Sequence, residues 1–283
     1  MRLSHNRLTR LPVGLLNSVE NLQQLNLNGN QLTVIDDVML HGLWRLRTLD
    51  FADNLVTSLS RKAFVHQLRL QWLSLVGNRL TSLTDYNFQH LQTLRVLSLR
   101  RNHIQHVFPK TFHRLTSLML LDLSENRIEF LHQDVFRSLA NVTTLYLSRN
   151  RIRHLLPHLF DYLHSLRTLD LSHNLVTTIT HKLFALQPQL SNLWLEFNNL
   201  SSVDRCVFAN NLSLKLVSFL GNPINCDCRL LWLSNATQSG DVTIHGSCHS
   251  KAFELESLSN ALQRMSKNDN CSKDIFYDQC KFV

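Results

Sequence analysis

The sequence predicts an α/β-type solenoid, which is a curved stack of short coils with a parallel β-sheet on its concave face and a disulfide-bonded cap at its C-terminal end. Three observations predict this fold class. Asparagine recurs at a constant interval of 24 residues, leucine-like residues recur at fixed distances from each asparagine, and all six cysteines lie within residues 206–280. A repeat of this length indicates stacked supersecondary units, each of which buries its apolar face against its neighbours.

The repeat predicts one short strand per coil. The asparagines that set the register, called ladder asparagines below, are Asn6, Asn30, Asn54, Asn78, Asn102, Asn126, Asn150, Asn174, Asn198 and Asn222. Apolar residues lie five and three positions before them, as in Leu25 and Leu27, and this period of two places both side chains on one side of a strand. Because every repeat advances in the same sense, the strands are parallel, and ten of them at ~4.8 Å make a sheet of about 45 Å.

Two further positions of the repeat predict how each coil is filled. The ladder asparagine follows the strand where the backbone turns, and a buried amide there satisfies peptide groups that a leucine cannot. Ten residues after the asparagine comes a large apolar residue, which is phenylalanine from Phe64 to Phe208. A narrow strand side and a wide aromatic side curve the stack, so the sheet is expected on the concave face.

The composition excludes several classes of protein. An apolar fraction of 44% with 18% charged residues supports a continuous core and excludes a disordered chain. No apolar run is long enough for a transmembrane helix, and the first residues lack the apolar segment of a signal peptide. No nucleophile, phosphate-binding, dinucleotide-binding or metalloprotease motif occurs, so the sequence predicts a protein that is not an enzyme and that has no cofactor and no metal site.

These features together resemble the typical 24-residue class of leucine-rich repeat found in extracellular proteins, over residues 1 to about 224. The resemblance implies a horseshoe of repeats over residues 1–224 and a C-terminal cysteine-rich cap and tail over residues 225–283. The segment 221–233, with its two closely spaced cysteines and the apolar run from Leu230 to Leu233, resembles the caps of Toll-like receptors and Slit-like proteins. Such a cap covers the apolar face of the last repeat.

The six cysteines, crowded into the C-terminal part of the chain, indicate an oxidising compartment. The four cysteines of the cap can pair in three ways. The resemblance implies that Cys226 pairs with Cys248 and that Cys228 pairs with Cys271. Cys206 and Cys280 fall outside this pattern and could pair together, bridge to another chain or stay free. A zinc site is the alternative, but the spacing of Cys226 and Cys228 differs from that of structural zinc sites.

The N-terminal end departs from the family, which usually has a cysteine-bearing cap behind a signal peptide. Here residues 1–3 already read as the strand of a repeat, which leaves leucine and backbone edge exposed. We therefore interpret the chain as a fragment of a longer protein. The extracellular location, secreted or as a cell-surface ectodomain, is predicted from the cap and not from a targeting signal.

Basic residues concentrate in the central repeats of a chain whose net charge is +8. Residues 95–153 carry ten basic and four acidic side chains. Five arginines are expected to occupy equivalent positions next to the ladder asparagines, with one histidine among them, and they predict a basic stripe across neighbouring repeats that Glu125 interrupts. Its members are Arg100, Arg101, His103, Arg127, Arg149 and Arg151.

The basic stripe predicts a partner with an acidic protein face or a sulfated glycan. The alternative is a solvated face that only keeps the repeats soluble. Nucleic acid is not favoured as a partner, because no recognition helix or aromatic RNA-binding motif occurs. Trp72, Tyr146 and Trp194 fall on outward positions of their strands, where they serve either as interface anchors or as cross-strand packing.

Five acceptor motifs predict glycosylation, and they begin at Asn141, Asn199, Asn211, Asn235 and Asn270. The favoured function is non-enzymatic binding of an extracellular protein ligand or co-receptor on the concave face, by a receptor ectodomain or a secreted recognition protein. The alternative function is an extracellular matrix or adhesion component that binds sulfated glycans through the basic stripe.

Overall fold

A computed structural model describes residues 1–12, 14–203, 207–208, 210–225, 230, 242–249 and 255–266. Within these ranges, ten strands form one main sheet, in which they follow one another in chain order. Four two-residue strands between them in sequence pair separately, outside the main sheet. Every neighbouring pair that joins two repeats is parallel and in register at 24 residues, as in Leu97 with Leu121. The predicted parallel solenoid is confirmed.

The strands are short, as the alternation predicts. Those of the main sheet are β1 (Gln24–Asn26), β3 (Thr48–Asp50), β5 (Trp72–Ser74), β7 (Val96–Ser98), β9 (Leu120–Asp122), β10 (Thr144–Tyr146), β11 (Thr168–Asp170), β12 (Asn192–Trp194), β13 (Leu216–Ser218) and β14 (Thr243–His245). The two-residue strands are β2 (Val34–Ile35), β4 (Ser58–Leu59), β6 (Ser82–Leu83) and β8 (His106–Val107), which pair as β2 with β4 and β6 with β8. The first repeat is less regular than predicted, since Arg2 makes a single parallel bridge to Asn26.

The ladder asparagines join each coil to the one before it. The Asn126 side-chain amide donates to the carbonyl oxygens of Leu99, 3.0 Å away in the previous coil, and of Leu123, 3.1 Å away in its own. Its Oδ1 accepts the Ile104 N–H at 3.0 Å. The same set of bonds repeats from Asn30 to Asn222, and these side chains are almost fully buried.

The phenylalanines fill the wide side of the coils as predicted. Phe64 and Phe88 stack with ring centroids 6.1 Å apart, and Phe160 and Phe184 stack at 5.9 Å. The strand leucines close the other side of the same core, and they are fully buried. The core is therefore one continuous column of leucine and phenylalanine along the solenoid axis.

One backbone feature accompanies every ladder asparagine. The residue directly before it has a left-handed conformation, with φ between 52° and 69° in all ten repeats. These residues are His5, Gly29, Asp53, Gly77, Arg101, Glu125, Arg149, His173, Phe197 and Gly221. Only three of them are glycine, so seven repeats hold an L side chain in a conformation that is costly for it.

The described part of the C-terminal segment continues the sheet. Strand β14 pairs with β13 in parallel, which extends the ladder beyond the last repeat. Strands β15 (Ser247–His249) and β16 (Leu255–Ser257) form an antiparallel pair, and helix α1 (Leu258–Ser266) follows directly. One face of α1 buries Leu258, Ala261, Leu262 and Met265. No helix in the described ranges has the length and apolarity that a membrane span requires.

Cys248 is the one cysteine within the described residues, where it is buried and disulfide-bonded. Its partner, and with it the predicted pairing of Cys226 with Cys248 and of Cys228 with Cys271, lies outside the described residues, as do Cys206 and Cys280. Of the predicted cover of the last repeat, Leu230 is described and is 1% exposed.

Replacing Asn126 with leucine should strongly destabilise the chain, because buried carbonyl and amide groups of two coils would lose their partners. Each such group costs about 1–3 kcal/mol. Asn6→Leu is the matched control, since Asn6 occupies the same position of the repeat but is exposed and bonds only carbonyls of its own coil. Chemical denaturation measures both variants, and similar losses of unfolding free energy would contradict the role given to the ladder.

Glycine should be favoured before a ladder asparagine and disfavoured after it. Arg149→Gly relieves a left-handed arginine, a conformation that costs about 1–2 kcal/mol. Arg127→Gly, at an equally exposed position with ordinary φ, loses about 0.5–1 kcal/mol to backbone entropy. We expect Arg149→Gly to have the higher free energy of unfolding by at least about 1 kcal/mol. The reverse order would contradict the assigned backbone.

Peptide mapping without reduction should find Cys248 linked to Cys226 in the folded chain. The second expected link joins Cys228 to Cys271. Finding Cys248 linked to any other cysteine would contradict the pairing that the family resemblance implies, and finding it as a free thiol would contradict the structure itself.

Candidate binding surfaces

The concave face is built from the outward side chains of the strands. Because each strand has three residues and its middle leucine-like residue points into the core, its first and third residues point outward. The register of the sheet aligns them into two rows that run along the solenoid axis. In the first row, Trp72 is followed by Val96 and then Leu120 in the next strands. These three neighbouring residues form an apolar patch on the concave face.

The second row alternates carboxylates with aromatic rings over four neighbouring strands. Tyr146 lies between Asp122 and Asp170, and Asp170 lies between Tyr146 and Trp194. We call Asp122, Tyr146, Asp170 and Trp194 the acid–aromatic row. All four side chains are half-buried. Because neighbouring strands lie ~4.8 Å apart, each carboxylate is flanked by a ring within about 5 Å along the axis.

Each aspartate of this row uses one oxygen to hold the strand end. Asp170 Oδ1 accepts the Ser172 N–H at 2.9 Å, and Asp122 Oδ1 accepts the Ser124 N–H at the same distance. Asp50, three repeats before Asp122 in the same row position, accepts the Ala52 N–H at 3.0 Å. The second oxygen of Asp170 has no hydrogen-bond or ionic partner among the described residues. Its negative charge is therefore available to a ligand.

The predicted arginines do not occupy equivalent positions. Arg100 lies two residues before a ladder asparagine, Arg101 and Arg149 lie one before, and His103, Arg127 and Arg151 lie one after. The expected equivalence was wrong, because the residue before each asparagine has the left-handed backbone and the residue after it does not. All six side chains are exposed, and they border the sheet where its strands end.

Ion pairs neutralise half of this basic stripe. Arg100 Nε donates to Glu125 Oε1 at 2.9 Å, and Glu125 is thus the interruption that the sequence predicted. Arg151 lies 3.7 Å from a carboxylate oxygen of Glu129. Arg127 and Arg149 have no carboxylate within 4.0 Å among the described residues. Two free arginines therefore remain where five were expected to act together.

The third ion pair spans two repeats across a glycine. Arg101 Nη2 lies 3.1 Å from Asp53 Oδ1, although the two residues are separated by a whole coil. A Cβ on Gly77, in the coil between them, would lie 2.2 Å from Asp53 Oδ1 and 3.4 Å from Arg101 Nη2. Gly77 thus provides the gap through which the two side chains meet.

The predicted aromatic anchors lie on the concave face but in different rows. Trp72 belongs to the first row, whereas Tyr146 and Trp194 share the second and are separated by Asp170. None of the three contacts another aromatic ring among the described residues. The repeat alone did not predict the alternation of these rings with aspartate, although Asp50, Asp122 and Asp170 share one position of the repeat.

The structure separates the predicted glycosylation sites. Asn141 and Asn199 are exposed. The prediction for Asn211 is wrong for the folded chain, because this side chain is 4% exposed and its Nδ2 donates to the Phe184 and Gln187 carbonyls at 3.0 and 2.9 Å. Asn235 and Asn270 lie outside the described residues. Within the described part of the chain, no group of three or more His, Cys, Asp and Glu residues could hold a metal ion.

Solved structures share the fold. Toll from Drosophila, in its complex with Spätzle, is 24% identical with a TM-score of 0.69, and the match covers 87% of this chain and 38% of that one. An internalin from Listeria monocytogenes is 20% identical with a TM-score of 0.69, over 93% of this chain and 70% of that one. The chain thus spans well under half the length of the Toll chain. No curated protein matches.

The family model for leucine-rich repeats matches four overlapping segments of the sequence. These segments are residues 1–56, 21–80, 68–128 and 116–176, so the matches together cover most of the chain. Members of this family generally form non-enzymatic binding scaffolds. The repeat, the parallel sheet and the family match agree, and the chain belongs to the leucine-rich repeat family.

Proposed function

We propose that this chain is a non-enzymatic extracellular recognition module that binds a protein partner on its concave face. In this proposal residues 1–224 provide the binding surface and residues 225–283 close its C-terminal end. The disulfide of Cys248 supports an oxidising compartment. Toll, a protein of the same fold, forms a complex with Spätzle, which supports a protein as the partner.

The single observation that carries the proposal is the acid–aromatic row. A lysine or arginine side chain that binds the free oxygen of Asp170 would lie between the rings of Tyr146 and Trp194. Cations are attracted to aromatic faces within about 6 Å, and the carboxylate adds a charge-assisted hydrogen bond. We therefore assign to the partner a surface with exposed basic side chains.

The remaining concave residues fit the same kind of partner. Glu196, just beyond the row, adds a third carboxylate and is hydrogen-bonded to Ser218 Oγ at 2.6 Å. Trp72, Val96 and Leu120 offer apolar contact on the neighbouring strands. An interface with a central aromatic and apolar part and charged groups around it is typical of protein–protein recognition.

The basic stripe is a weaker basis for function than the acid–aromatic row. Three of its five arginines are already paired with carboxylates, and exposed pairs of this kind contribute only about 0–1 kcal/mol. Arg127 and Arg149 remain able to steer an acidic part of a partner. Their effect would appear in the association rate and would fade with salt.

Asp170→Asn should weaken binding of a basic ligand several-fold, because it removes the charge but keeps the hydrogen bond to the Ser172 N–H. An asparagine already makes that bond at the end of β1, where Asn26 Oδ1 accepts the Asn28 N–H at 2.9 Å. The probe is a fluorescein-labelled Lys-Arg-Lys-Arg peptide, and fluorescence anisotropy measures its affinity. Trp194→Ala should produce a comparable loss.

Asp50→Asn is the matched control, since Asp50 has the same row position and the same turn but lies between Asn26 and Ser74. It should leave the affinity within about twofold of that of the unmodified chain, because a charge this far from the bound peptide is largely screened by salt. Equal losses of affinity for Asp50→Asn and Asp170→Asn would show that the peptide responds only to the net charge of the chain and not to the acid–aromatic row. Unchanged affinity for Asp170→Asn and Trp194→Ala would refute the assignment of this row.

A further inference from the structure

The edge of the sheet where the strands begin carries a second set of aligned residues. The residue just before each strand donates its N–H to the carbonyl of its counterpart in the preceding repeat, as Gln71 does to Arg47 and Arg95 does to Gln71, both at 2.8 Å. This ladder continues through Thr143 to Arg167. Arg47 and Arg95 are thus two strands apart, or about 10 Å, and Arg95 and Arg167 are three strands apart, or about 14 Å.

Arginines at this edge are exposed and unpaired. Arg45 and Arg69 lie two residues before Arg47 and Gln71, so they add a second row beside the first. None of Arg45, Arg47, Arg69, Arg95 and Arg167 has a carboxylate within 4.0 Å among the described residues. This distinguishes them from the basic stripe at the opposite edge, where three of the five arginines pair with Asp53, Glu125 and Glu129.

A shallow groove of about 700 Å³ runs along the same edge. Arg95 and Arg167 line it, together with hydroxyl and amide side chains and one methionine, and no acidic residue lines it in the described part of the chain. The other polar residues of its lining are Gln71, Thr93, Ser117, Asn141, Thr143, Ser165 and Gln189, and the hydroxyls of Thr93 and Thr143 already donate to backbone carbonyls. The groove therefore combines hydrogen-bonding groups with regularly spaced cations.

We propose that this groove, with Arg45, Arg47 and Arg69 at its N-terminal end, binds a sulfated polysaccharide chain. Guanidinium groups pair with the oxygens of an anion in a planar, bidentate geometry, and the hydroxyl and amide side chains suit the hydroxyls of a sugar. An acidic protein fits less well, because the cores of protein interfaces are rich in aromatic residues, whereas Met119 is the one large apolar residue of the lining.

The site is separate from the acid–aromatic row, so one chain can hold both ligands. The carboxylates of that row lie three residues further along each strand, which places them about 10 Å from the groove ladder. Asn141 lines the groove, and its Nδ2 donates to the Thr116 carbonyl at 2.8 Å. An N-glycan on Asn141 would stand in the groove and compete with the polysaccharide.

The test measures binding of a heparin-derived octasaccharide to the full chain after enzymatic removal of N-glycans. Arg47→Glu with Arg95→Glu should weaken binding by about tenfold or more, with the loss reduced as salt rises from about 0.05 M to about 0.5 M. Arg79→Glu with Arg153→Glu is the matched control, because it reverses two exposed arginines that lie beyond the other end of the strands, have no carboxylate within 4.0 Å among the described residues and belong to neither proposed surface. It should stay within about twofold, since remote exposed charges are largely screened.

Two comparisons make the outcome decisive. Thermal unfolding of both double variants should match that of the unmodified chain, and Arg47→Ala with Arg95→Ala serves if the charge reversal alters folding. The desulfated octasaccharide and polyglutamate should both bind more weakly than the sulfated octasaccharide. Equal losses in the two double variants, or equal binding of polyglutamate, would overturn the polysaccharide site, and the latter result would favour an acidic protein. Both outcomes leave the proposed function open, because that proposal is tested separately by binding of the basic peptide to the acid–aromatic row.

Discussion

The buried side-chain amide of the ladder asparagine is the interaction on which the rest of the structure depends. In each coil its nitrogen serves carbonyls of two successive coils, and its oxygen serves an amide of the earlier one, as Asn150 does for Leu123, Leu147 and Ile128. An unpaired backbone group in this position would be buried without water. The turn after each strand therefore keeps one geometry, and the next strand begins in register.

A constant register converts every position of the repeat into a row on the surface. The acid–aromatic row, the edge of free arginines and the column of stacked phenylalanines are all consequences of the 24-residue alignment. Opposite charges are separated along the strand, with arginines before it and carboxylates at its third residue. One rigid scaffold thus presents a basic edge and an acidic concave face side by side.

Much of the fold could be predicted from the sequence, because the leucine, asparagine and phenylalanine positions each obey one local rule. Other features depend on neighbouring coils. Asn211 and Gln187 share a position of the repeat that leucine fills in most repeats. Both are buried because their side-chain amides donate to carbonyls of the preceding coil, those of Phe184 and Phe160. The pairing of Arg101 with Asp53 required a side-chain gap at Gly77 that no spacing rule reports. The state of the basic stripe could not be predicted, since charge counts do not show which arginines are already paired with carboxylates.

Native-state hydrogen exchange tests the central role of the ladder most directly. The Ile104, Ile128 and Ile152 amides donate to ladder oxygens just outside the strands, where an ordinary turn amide would exchange quickly. If the ladder fixes the register, these amides exchange as slowly as the strand amides of Leu121 and Leu145. Exchange at the rate of exposed turn amides would show that the coils are aligned by packing alone and would contradict the account.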